Sequence, residues 1–137
     1  LAEAFITGRE ITVGVLDSIE GRTSALPCSE TVLLGENIFD YAGKYLGRGT
    51  KEITPADLTP EEAQAAQKMA IDAHLALGCY GYTRTDMILT SSGPVYLETN
   101  TLPGLTRASF VPQQLEARGM KMRDFIEDQL KLAEKRG

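Results

Sequence analysis

Histidine occurs once in this sequence, at His74, and cysteine twice, at Cys28 and Cys79. The cysteines stand far apart, in neither a Cys-x-x-Cys pair nor any zinc-ligand spacing, so a zinc site and a disulfide scaffold are both excluded. A nucleophile activated by histidine has only His74 to draw on, and that residue falls inside an expected helix, where packing is its ordinary role. Long apolar runs are missing as well. Nothing approaches the roughly 18 residues of a membrane span, and the opening residues lack the basic-then-apolar layout of a signal peptide. The expectation is a soluble, cytoplasmic chain with no membrane partner.

Positive charge is scarce: 14 basic residues face 19 acidic ones, for a net charge of −5. Basic residues gather only at Lys131, Lys135 and Arg136, which close an expected helix and offset the negative end of its dipole. Nucleic acid is therefore excluded as a partner. What is present is an ordinary globular composition, 42% hydrophobic and 24% charged over 137 residues. A chain of that size buries roughly two thirds of its unfolded surface, enough for one domain with a core of its own. It opens on Leu1, and Leu1 to Ile6 reads as the middle of a strand, so the expectation is a piece of a longer protein.

Residues 1 to 34 alternate in polarity and are rich in β-branched types. Glu10 to Asp17 is the clearest strand, followed by a turn at Glu20-Gly21-Arg22. From Ser29 to Pro60 glycines and mixed polarity break any period, apart from a short helical possibility around Phe39 to Leu46; so long a loop is usually a functional lid or disordered. Thr59-Pro60-Glu61-Glu62 then announces a helix: Thr59 as N-cap, Pro60 at the first helical position, Glu62 completing a capping box. Ala63, Ala66, Ala70, Ala73 and Leu77 form its expected buried stripe until Gly78 ends it. Two strands follow, about Tyr80 to Thr90 and Pro94 to Thr99, joined by a hairpin turn at Ser91-Ser92-Gly93. Helices are expected near Val111 to Arg118 and Met122 to Lys135. The second should bury Met122, Phe125, Ile126, Leu130 and Ala133, with Glu127 and Lys131 paired on its surface. The fold class is α+β, an antiparallel sheet with packed helices.

Chemistry concentrates in the hairpin. Side chains alternate faces along a strand, so Arg84 and Asp86 share one side, as do Tyr96, Glu98 and Asn100. If the two strands pair these faces, Arg84, Asp86, Glu98 and Asn100 converge. Two carboxylates and an amide oxygen are hard ligands suited to magnesium, and an adjacent arginine would face developing negative charge. The same spacing also suits cross-strand ion pairs on a solvated face. Asn100 leads directly into a Pro-Gly loop, and loops at sheet ends commonly carry binding groups.

The run Gly81-Tyr82-Thr83-Arg84-Thr85-Asp86, with Leu97-Glu98-Thr99-Asn100-Thr101-Leu102-Pro103-Gly104-Leu105-Thr106, closely resembles the C-terminal signature of D-alanine:D-alanine ligases of the ATP-grasp superfamily. Glu3 to Glu10 is similar to the family's strand and turn lining the nucleotide site, and Phe39 to Tyr45 to its ω-loop. Pro55 to Leu58 matches the segment after that loop, and Ser109 to Pro112 the stretch after the Pro-Gly loop. The resemblance spans essentially the whole chain. Two departures stand out, Thr85 and Thr99, where the family usually has apolar residues; both are odd-numbered and point away from the proposed metal face.

The resemblance implies the C-terminal ATP-grasp lobe over residues 1 to 137, with the upstream lobe and N-terminal domain absent. It further implies joining of two D-alanines through an acyl phosphate at the expense of ATP, for peptidoglycan synthesis. Asp86, Glu98 and Asn100 would hold two Mg2+ or Mn2+ ions. Arg84 and the backbone of Gly104 would stabilise the acyl phosphate and the tetrahedral intermediate. Lys44 would reach the γ-phosphate. Tyr45, Ser109 and Phe110 would border the second D-alanine, and Tyr45 goes with an amine acceptor over D-lactate. Glu3, Phe5, Ile6 and Leu97 would surround the adenine, and Glu10 would reach the ribose. The whole enzyme would be a homodimer, and these residues alone would make no dipeptide. Other carboxylate-amine ligases of the superfamily, or a nucleotide-binding remnant without turnover, are the alternatives.

Overall fold

The computed structural model describes residues 2–33 and 49–137. Its strands are β1 (Arg9–Asp17), β2 (Thr23–Ala25), β3 (Ser29–Leu33), β4 (Thr50–Ile53), β5 (Tyr82–Thr90) and β6 (Gly93–Asn100). Its helices are α1 (Pro60–Ala76), α2 (Phe110–Ala117) and α3 (Met122–Arg136). The strands form one antiparallel sheet in the order β4-β3-β1-β5-β6, and β2 pairs with the far half of β1.

Alternation along β1 and β5 decides what covers each face. Ile11, Val13, Val15, Met87 and Leu89 point to one side and pack with Ala66 and Ala70 of α1. Leu16, Leu26 and Tyr82 point to the other, against Val111 and Leu115 of α2 and Phe125 of α3. Phe125 meets the Tyr82 ring edge-on, with centroids 5.2 Å apart. The small side chains of α1 bring its axis close to the sheet. The helix starts as expected: Glu62 N donates to Thr59 Oγ1 at 3.2 Å, and Thr59 N to Glu62 Oε2 at 2.9 Å.

Four expectations are corrected. Residues 2–7 carry no regular structure and Phe5 is 94% exposed; among the described residues no strand pairs with this segment. The stripe of α1 closes on His74 and not on Leu77, which is 58% exposed. His74 is fully buried, with Nδ1 2.8 Å from Thr83 Oγ1 and Nε2 3.2 Å from Asp17 Oδ2. In α3 the buried positions are Phe125 and Leu132, while Ile126 and Leu130 are exposed. Docking on Tyr82 and Tyr80 sets that phase: the Tyr80 hydroxyl donates to the Leu132 carbonyl at 3.1 Å. Glu127 pairs with Arg123, at 2.8 Å, and not with Lys131. The helical possibility at Phe39 to Leu46 lies outside the described residues.

Candidate active site

The register of three strands builds two adjacent rows across the α2 face of the sheet. Thr12 stands opposite Asp86, which stands opposite Glu98. One step along, Gly14 stands opposite Arg84, which stands opposite Asn100. The expected convergence of Arg84, Asp86, Glu98 and Asn100 is therefore what the sheet delivers. Tyr96 does not join them. A bulge after Asp86 pairs Met87 with Tyr96 and skips Leu97, so Tyr96 turns to the α1 side and lines a groove with Ala65, Lys68 and Met69.

Asp86 is the most engaged member. Its Oδ1 accepts from Thr12 Oγ1 at 2.8 Å and from Arg84 Nε at 3.1 Å, and its Oδ2 accepts from Arg84 Nη2 at 2.8 Å. Both side chains are about four-fifths shielded from solvent, at 21% and 22% exposure, so the fork is worth more than a surface pair. The Arg84 guanidinium also lies 5.9 Å from the Phe110 ring centroid, at the start of α2. Asn100 Oδ1 accepts from Leu102 N at 3.0 Å, which turns the chain into the Pro-Gly loop. That loop returns to α2 through Gly104, where an added Cβ would come 2.9 Å from Ser109 Oγ. Ser109 occupies the N-cap position of α2, but its hydroxyl pairs with Thr106 Oγ1 at 2.9 Å and leaves the helix amides uncapped.

The residues expected to bind the nucleotide lie outside these rows. Glu3, Phe5 and Glu10 are exposed, Ile6 is half-buried, and Leu97 is the 52%-exposed extra residue of the bulge. Glu10 shares the site face, two residues before Thr12. Its neighbour Arg9 is anchored on the opposite face by Glu30, at 2.7 Å to each carboxylate oxygen, and by the Asp57 carbonyl at 2.6 Å. The hydrogen bonds from Arg9 to Glu30 push its guanidinium further above its ordinary value. Lys44 and Tyr45 lie outside the described residues.

Among the described residues no three His, Cys, Asp or Glu side chains gather into a cation site. The donor set is instead two carboxylates and one amide oxygen, directly opposed or one row apart. Such a set fits magnesium, which keeps waters and takes phosphate oxygens in its remaining positions. Thr12, Gly14 and Gln114 were missed from the sequence. Thr12 carried a signal, since it lies two residues from Glu10 on the same strand face. Gln114, a polar residue inside a helix, carried none.

The family model described as D-ala D-ala ligase C-terminus matches residues 1–131. A D-alanine--D-alanine ligase of Leptospira interrogans is 42% identical over 99% of this chain and 39% of its own length. The crystal structure of D-alanine--D-alanine ligase from Bacillus anthracis superposes with a TM-score of 0.77 at 33% identity, over 98% of this chain and 44% of that one. The same ligase complexed with ATP gives 0.75. VanG D-Ala:D-Ser ligase from Enterococcus faecalis gives 0.77 at 31% identity, over 93% of this chain and 37% of that one. The chain thus spans about two fifths of the length of the relatives it matches.

Proposed function

The chain belongs to the D-ala D-ala ligase C-terminus family, and from that premise we propose that it forms the C-terminal ATP-grasp lobe of an ATP-dependent D-alanine:D-alanine ligase. The observation that carries the reading is the pair of rows placing Asp86, Glu98, Asn100 and Arg84 on one face. Joining two amino acids requires an activated carboxylate. The γ-phosphoryl group of ATP passes to the carboxylate of the first D-alanine and gives an acyl phosphate. The amine of the second D-alanine attacks the acyl carbon, and phosphate leaves from the tetrahedral intermediate.

Both steps bring negative oxygens together, which is costly unless fixed cations face them in a site closed to water. Asp86, Glu98 and Asn100 would hold two Mg2+ ions, whose chemistry is to neutralise phosphate charge and polarise its oxygens. The Arg84 fork, with the Gly104 amide, would meet charge developing on the acyl oxygen and the departing phosphate. Ser109 and Phe110 would border the second D-alanine, where the uncapped amides at the start of α2 attract a carboxylate. Lys44 would neutralise the γ-phosphate and Tyr45 would favour an amine acceptor. Glu3, Phe5, Ile6, Glu10 and Leu97 would hold the nucleoside. The product would be the D-alanyl-D-alanine of peptidoglycan synthesis, made by a cytoplasmic homodimer; residues 1 to 137 by themselves would make none.

The test is phosphate release by the whole ligase with ATP, Mg2+ and a panel of D- and L-amino acids. Turnover greatest with D-alanine alone supports the reading, and turnover confined to L-amino acids or absent altogether overturns it. The likeness to VanG makes D-serine a second acceptor to include. A dipeptide formed faster from D-alanine plus D-serine would replace the acceptor named here.

A further inference from the structure

Gln114 is a polar side chain with no solvent exposure, in the middle of a helix, and every one of its partners is on the sheet. Its Oε1 accepts from Gly14 N at 2.8 Å, and its Nε2 donates to Thr12 O at 2.9 Å and Ser29 Oγ at 2.9 Å. These groups mark a particular place. The outer edge of β1 pairs with β3 through residues 10–12 and with β2 through residues 15–17, so the edge passes from one partner strand to the other between them. Gln114 Oε1 fills that opening by taking the Gly14 N–H, which neither strand pairs, while Nε2 adds a second bond to the Thr12 carbonyl at the end of the β1–β3 ladder. A buried Gly14 N–H left without a partner would be costly, so the helix is held there firmly.

Phe110 and Gln114 are four residues apart on α2 and therefore share a face. The first lies over Arg84 and the second against Gly14, and Gly14 and Arg84 are direct partners in the β1–β5 ladder. A closed circuit results: ladder, arginine on aromatic, one helical turn, amide on backbone. Its fourth corner needs glycine. A Cβ on Gly14 would come 2.7 Å from Gln114 Oε1 and 2.8 Å from Leu26 Cδ1.

We propose that Gln114, seated on Gly14, is a positioning residue that sets the start of α2, with Ser109 and Phe110, at a fixed height over Arg84 and thereby determines how the second amino acid is presented to the activated carboxylate. This rests on the ligase reading above. The amide touches no reacting atom. It acts through the placement of Phe110 and Ser109, where an error of about 1 Å can cost on the order of a hundredfold in rate.

The test uses the whole ligase with Gln114→Leu, which keeps the bulk and removes the bonds, and with Gly14→Ala, which pushes on the amide from the other side. Dipeptide formation is measured against D-alanine and against ATP, with thermal melting alongside. The expected result is a tenfold or larger rise in the D-alanine concentration that half-saturates the acceptor site. The KM for ATP should stay within twofold. Gly14→Ala should raise the acceptor KM less once Gln114→Ala is also present, because the two side chains would no longer collide. Acceptor KM and kcat both within twofold in folded variants would overturn the proposal. So would a lower melting temperature with kcat reduced and every KM unmoved, which is the signature of a purely structural residue. If the unsubstituted ligase forms no dipeptide from D-alanine and ATP, the ligase reading itself fails and takes this proposal with it.

Discussion

Arg84 clasps Asp86, its neighbour two residues along the same strand, through both carboxylate oxygens, at 3.1 and 2.8 Å. The residue proposed to face the reacting phosphate thus occupies the residue proposed to hold the metal. A divalent cation and the guanidinium would draw on the same two oxygens. Arg84→Lys keeps the charge and removes the fork. In the whole ligase this variant should bind Mn2+ several-fold more tightly, read by paramagnetic titration, while dipeptide formation falls by about 10²- to 10³-fold. Unchanged or weaker Mn2+ binding would mean that fork and cation do not share oxygens.

Behind the site, Thr85 and Thr99 form a cross-strand pair on the α1 side, with hydroxyl oxygens 3.0 Å apart and Thr85 fully buried. Where apolar residues are expected, this chain has a matched polar pair. Thr85→Val alone should cost about 1–2 kcal/mol, because the Thr99 hydroxyl loses its partner. Thr85→Val with Thr99→Val should recover most of that loss. Urea denaturation of the four proteins of this cycle would show it, and strict additivity of the two substitutions would refute it.

At the start of α1, the reciprocal bonds of Thr59 and Glu62 satisfy two backbone groups. Thr59→Ala should lower stability by about 1 kcal/mol, and Thr59→Ser by much less. Denaturant midpoints at constant slope are the measurement.

Burial pushes the Cys28 thiol from 9.0 up to about 11. Raised in the folded state, this group contributes stability that is fully present below about pH 9 and lost as pH rises toward 11. The native protein should therefore lose stability across that window, and Cys28→Ala should flatten the loss. Iodoacetamide at pH 8 should modify Cys28 only after unfolding, since the thiolate is the reactive form. Rapid alkylation of Cys28 in the folded protein would contradict the burial argument.

Legibility followed range along the chain. The cap of α1 was readable because its bonds span three residues. The phase of α3 was not: Ile126 and Leu130 repeat as plausibly as Phe125 and Leu132, and only the tyrosines beneath the helix choose between them. Tyr96 failed for a related reason. Counting by twos assigns faces only along an unbroken ladder, and the bulge at Leu97 reverses the count for everything before it. The strand expected at Leu1 to Ile6 had the right composition, but among the described residues no strand pairs with residues 2–7.

The stereochemistry of an extended chain puts Arg84 and Asp86 on one side whatever surrounds them, and Glu98 and Asn100 likewise, so the sequence by itself determined the two halves of the site. Which half faced which was a matter of register. That is settled by bonds between residues far apart in the chain, and only the tertiary structure set Glu98 opposite Asp86 and Asn100 opposite Arg84. The same long-range pairing brought in Thr12 from 74 residues away and Gln114 to the backbone of Gly14 across 100. No local pattern encodes such contacts, because each depends on where the rest of the sheet has already placed its edge.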